Sequence, residues 1–188
     1  NILTKEEITS YLNETLNDTK LYVHFDKIYL GNNYIKNINL FSYKDFGVYV
    51  YKSEKIFLII RLFDFNKEPI NTGHFHYDQL SIELHINKKP VILDPGTYLY
   101  NSNIKKRNLY RSAYAHNSPS YTFDFTLSNN PFVMKTFFNS KIYHFSKFGF
   151  YGSFNVNDKL IERIILLKNK HLEIYDISSH KLFKNRKL

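Results

Sequence analysis

The chain has 188 residues, 43% of them hydrophobic, with 26 Lys and Arg against 17 Asp and Glu for a net charge of +9. That is enough for one domain with a sizeable core, and a charge that draws in a polyanion such as an acidic polysaccharide, a nucleic acid or an anionic membrane surface. With no cysteine, disulfides and thiolate zinc sites are excluded; no apolar run approaches the roughly twenty residues that span a bilayer, and no nucleic-acid motif accompanies the charge, so neither a membrane span nor a nucleic-acid partner is expected.

The elements follow in chain order. Thr4 and Glu7 make a capping box, and Ile8, Tyr11, Leu12 and Leu16 recur on one helical face, which predicts a short amphipathic helix over about 5–16. A helix of that length is marginal by itself, so residues 1–40 are expected to be the tail or linker of a preceding helical domain. The first residue is Asn, as expected of a processed chain or a piece of a longer one.

From about residue 46 the period changes to two. The runs GVYVYK, KIFLIIRLF, QLSIELHI, PVILD, YTFDFTL, ERIILLK and HLEIYDI predict short antiparallel strands. With 16 Tyr, 17 Phe and few Gly or Pro, the composition favours sheets. The fold class is therefore all-β, an antiparallel β-sandwich over 41–188. KIFLIIRLF is apolar on both faces and is expected to be a central strand buried on both sides. Asn87, Lys88 and Lys89 give a hairpin between SIELHI and PVILD, and Pro95-Gly96 ends the second strand. The final SSHKLFKNRKL offers no clear closing strand, as in a truncated domain.

The segment GHFHYDQLS, 73–81, carries the densest chemistry. In an extended backbone His74, His76 and Asp78 would share one face. Imidazole and carboxylate are both ligands for Zn²⁺, although the spacing alone equally suits polar surface residues beside a turn. Asp94 ends PVILD in DPGTY, and His116 lies in RSAYAHNSP. With His76 they make a possible His, Asp, His set.

The strings GHFHYDQLSIELHINKKPVILDPGTY and RSAYAHNSPSY resemble, in the right order, the signature blocks of the heparinase II/III-like polysaccharide lyases, relatives of alginate and heparin lyases. The resemblance implies that His74 faces the substrate cleft as a catalytic residue and that His76, Asp94 and His116 hold zinc. It implies further a β-sandwich joined to an N-terminal α/α-toroid of the same parent, an acidic polysaccharide substrate such as a glycosaminoglycan or alginate, and a periplasmic or secreted location. Phe75 and Tyr77 depart from the small residues common there and are expected to narrow the cleft or alter the substrate.

Uronate polysaccharides can be cleaved by β-elimination, and an imidazole can act as base or acid near pH 7, which fits His74. The zinc is expected to be structural or orienting rather than activating. Asp78 would fix the tautomer of a ligand histidine or cap nearby backbone. Lys105, Lys106, Arg107 and Arg111 would meet carboxylates or sulfates of the substrate, or form a solvated loop. The leading reading is a lyase domain, inactive without its helical partner; the alternative is a non-catalytic polysaccharide-binding or assembly module.

Overall fold

The computed structural model describes residues 10, 22–64, 73–100, 102–119, 130, 132–134, 138–156 and 159–180. Apart from Ser10, the helix expected over about 5–16 lies outside these residues, as do the expected YTFDFTL strand and the chain beyond His180.

Alternation of β-branched and aromatic side chains becomes two five-stranded antiparallel sheets, as the composition predicts. The first contains β2 (Asn39–Tyr43), β3 (Val48–Lys52), β4 (Ile56–Arg61), β5 (Ile82–Ile86) and β6 (Lys89–Ile92), in chain order. The second contains β7 (Asn139–Ser146), β8 (Gly149–Val156), β9 (Lys159–Leu167) and β10 (His171–Ser178), with β1 (Tyr22–Tyr29) beside β10. The linker expected over 1–40 therefore contains a strand: YVHFDKIY alternates half-buried with exposed residues and pairs with β10 from Tyr22↔Ser178 to Tyr29↔His171. Its period-two pattern was present in the sequence, but its polar half resembles a linker.

Between the sheets lies one apolar core. Tyr49, Tyr51, Leu58, Ile60, Ile82 and Leu84 of the first sheet belong to the same cluster as Phe150, Ile161, Ile165 and Ile174 of the second. The rings of Tyr49 and Tyr51 lie edge-on to Phe145, with centroids 5.3 and 5.0 Å away, a geometry that aligns ring edges with ring faces.

The strand expected to be buried on both faces is central, as predicted, but Ile56, Leu58 and Ile60 are buried while Phe57 and Ile59 are only half-buried. Double burial falls instead to β9, whose residues from Ile161 to Leu167 are all buried. Ile161 and Ile165 face the main core, whereas Ile164 and Leu166 pack with Tyr151 and Ile177 on the other side of the sheet.

The β5–β6 hairpin forms where expected. Asn87 and Lys88 both take left-handed conformations, φ 50° and 64°, as a two-residue type I′ turn requires. Two longer connections matter for the site. That between β4 and β5 carries His74, His76 and Asp78; that following β6 carries Asp94, the helix α1 (Ile104–Arg111) and His116. Because β5 and β6 are antiparallel neighbours, Asp94 leaves β6 at the end of the sheet where the first connection enters β5.

Candidate active site and metal ligands

GHFHYDQLS is not a strand. Its backbone is a sequence of turns, with Leu80 at φ 57°, so His74, His76 and Asp78 are not aligned by a pleat. Two anchors shape the loop instead. Arg107 Nη2 donates to the Gly73 carbonyl at 2.8 Å, and Tyr77 N donates to the Arg111 carbonyl at 2.9 Å. Tyr77 is buried in the sandwich core and Phe75 packs on Phe63, centroids 4.8 Å apart. Both residues, expected to narrow the cleft or alter the substrate, thus pack against neighbouring rings, Phe63 for Phe75 and Phe138 for Tyr77.

His74 is exposed, its ring 6.1 Å from that of Tyr100, itself exposed. His76 is half-buried and turned the other way, its ring 5.1 Å from that of His116. His116 is buried, and its Nδ1 lies 2.6 Å from Asp94 Oδ2. Asp94 Oδ1 accepts from Gly96 N at 2.8 Å, closing the Pro95-Gly96 turn with Gly96 at φ 62°, where glycine carries no Cβ penalty. Residues from two connections, 18 and 40 positions beyond His76 in the chain, therefore meet.

The electrostatics follow from this crowding. Burial pushes the His76 imidazole down to about 4, His116 and the two arginines add to the shift, and Asp94 opposes it. At neutral pH His76 is an uncharged ring with a free lone pair. Burial pushes Asp94 up, but the hydrogen bond and charge of His116 outweigh it and hold the carboxyl below its usual value. Burial raises Asp78 against the opposing charges of Arg61 and His116. Asp78, expected to orient a ligand histidine or to cap nearby backbone, has its Oδ2 3.5 Å from Arg61 Nε.

In kind, His76, Asp94 and His116 suit zinc, and His116 Nε2 is buried with no hydrogen-bond partner among the described residues. Their donors do not converge, however: among the described residues no three His, Asp or Glu side chains are gathered closely enough to hold an ion. As placed here, the set is a tight Asp94–His116 pair with His76 beside it.

The expected basic patch divides. Lys105 and Lys106 are exposed, whereas Arg107 and Arg111 are each 1% exposed. Asn103 caps α1, accepting from Lys106 N at 3.0 Å, and a helix turns residues 107 and 111 onto one face. Arg107 Nη1 donates to Thr97 Oγ1 at 2.7 Å, and its guanidinium lies 5.0 and 4.9 Å from the rings of Tyr100 and Phe132. Arg111 Nη2 donates to the Val133 carbonyl at 3.3 Å. These arginines build the loops and are not presented to a ligand.

The sequence reading missed Arg163 and Asp176, a buried pair behind the site loops. An arginine within the apolar run of β9 was the available signal, because a charge there needs partners.

Residues 36–119, which include every candidate site residue, match the family described as Heparinase II/III-like, C-terminal. The solved structure titled Heparinase III-BT4657 gene product is similar with a TM-score of 0.51 at 15% identity, covering 71% of this chain and 20% of that one. At that identity the likeness concerns the fold, and the chain spans a fifth of that structure's length. No curated protein matches the chain.

Proposed function

We propose, from the match of residues 36–119 to the family described as Heparinase II/III-like, C-terminal, that this chain serves a polysaccharide lyase that cleaves uronate-containing chains, of the glycosaminoglycan or alginate kind, by β-elimination. The observation that carries this reading is the opposite disposition of two neighbouring histidines: His74 is exposed beside Tyr100, while His76 turns inward to His116. One imidazole is left free for substrate and the other for structure.

In the proposed reaction a base takes the C5 proton beside the uronate carboxylate. The freed electron pair forms the C4–C5 double bond, and the C4–O bond breaks as the glycosidic oxygen takes a proton from an acid. His74 supplies one of these proton transfers; its counterpart, and much of the substrate cleft, belong to a helical domain of the parent. Zinc would organise the two connections if His76, Asp94 and His116 bound it, which requires their donors to turn toward one another from the placement described above. Lys105 and Lys106 remain available to acidic groups of the polymer. A periplasmic or secreted location accords with such a substrate.

The test uses the full-length parent on uronate polymers, followed by the ultraviolet absorbance of unsaturated ends. His74→Ala is expected to lower the rate by about 10²-fold or more, with zinc retained at about one per chain; His76→Ala is expected to lose the zinc and to melt at a lower temperature. Undiminished product release by His74→Ala would overturn the catalytic assignment. Carefully prepared wild-type protein without stoichiometric zinc would overturn the metal assignment.

A further inference from the structure

We infer that Arg163 and Asp176, which lie in the second sheet and outside the histidine-bearing segments, are positioning residues that set the separation of the loops bearing His76 and His116. This rests on reading those histidines as one site. Arg163 stands in β9 with 0% of its surface exposed, and its guanidinium serves two structures at once. Nε and Nη2 donate to the two carboxylate oxygens of Asp176 at 2.6 and 3.0 Å. Nη1 donates to the Leu80 carbonyl and, at 2.9 Å, to the Asn117 carbonyl.

Leu80 ends the loop that carries His76, and Asn117 directly follows His116. A single nitrogen therefore joins both segments to β9, and Ser118 Oγ donating to the Gln79 carbonyl ties them to each other. Leu80 is also held at φ 57°, a conformation that a leucine keeps only when its surroundings impose it. The fork explains the choice of residue. Asp176 takes one side of the guanidinium and compensates its buried charge, while the remaining Nη1 is aimed by the rigid plane. A lysine ammonium has no such plane with which to hold a bidentate partner and aim a further donor.

Arg163→Lys in the full chain tests this, because it keeps a cation beside Asp176 and removes the fork. Three quantities are read by nuclear magnetic resonance and titration: the ring-to-ring Overhauser effect between His76 and His116, amide exchange at 77–81 and 116–118, and zinc affinity. The expected result is native chemical shifts in β2 and β3, loss of the ring-to-ring signal, and loop exchange at least 10-fold faster. Zinc should bind at least 10-fold more weakly, as when other residues that orient metal ligands are lost.

Leu172→Ala, a core change on β10, should lower stability yet keep the ring-to-ring signal, which separates positioning from general destabilisation. Should Arg163→Lys fail to fold, exchange in the wild type decides. Loop amides as protected as those of β9 support the clamp, and loops that open while β9 stays closed overturn it. Wild-type signal and exchange in Arg163→Lys likewise overturn it. Expected loop behaviour in a protein that binds no zinc would support the clamp while removing the metal reading.

Discussion

Arg107 shows how far the role of a single residue depends on what its side chain meets. In KKRNLYR it reads as one of four cations in a basic stretch, yet it is buried, donating to Gly73, Thr97 and Leu99 between two aromatic rings. Truncation would remove these hydrogen bonds from a charged donor, each worth about 1.5–3 kcal/mol, together with the packing of the guanidinium between the rings. Arg107→Ala is therefore expected to lose about 2–4 kcal/mol in urea unfolding, while Lys105→Ala and Lys106→Ala, both exposed, should each stay within about 0.5 kcal/mol. Equal effects at all three positions would return Arg107 to the surface role that its sequence suggests.

At the scale of elements, period-two alternation located β3, β4, β5 and β10, and hairpin length located the turn at Asn87-Lys88. Lys88 sits at φ 64°, where a Cβ is disfavoured by roughly 1–2 kcal/mol and glycine loses more chain entropy in return. Lys88→Gly is thus expected to raise stability by about 0.5–1 kcal/mol, read as a shift in the urea midpoint at unchanged slope. A lowered midpoint would mean that the lysine side chain contributes to the hairpin. Periodicity did not separate β4 from β9, because both runs place apolar residues on both faces; which of them is covered on its second face depends on side chains from neighbouring strands, Tyr151 and Ile177 in the case of β9.

Across the whole molecule, aromatic residues link the layers, and two buried phenols make the fold sensitive to alkali. Burial drives Tyr34 and Tyr51 well above the ordinary value of 10; Tyr34 donates to the His171 carbonyl at 2.7 Å, joining the loop after β1 to the start of β10. These phenols stay protonated when folded and ionise near 10 when unfolded. Their contribution is complete below pH 10 and is lost as pH rises above it. Tyrosinate absorbance should therefore show a fraction of phenols that ionise only as the circular dichroism of the fold is lost. Ionisation of all 16 tyrosines near pH 10 in a folded chain would contradict the burial.

By itself the sequence determined the sandwich class and the β5–β6 hairpin, because alternation and turn chemistry are local properties, and it nominated His74, His76, Asp94 and His116 by residue type and family resemblance. The extended-strand geometry expected of the His-x-His segment failed because turns, pinned by Arg107 and Arg111, replace the pleat. Tertiary structure alone decided that β1 joins the second sheet, that two arginines of the basic stretch are buried, and that Arg163 reaches from β9 to both site loops. Each of these depends on partners far away in the chain, and a buried cation's role is set by which carbonyls and carboxylates the folded layers bring to it.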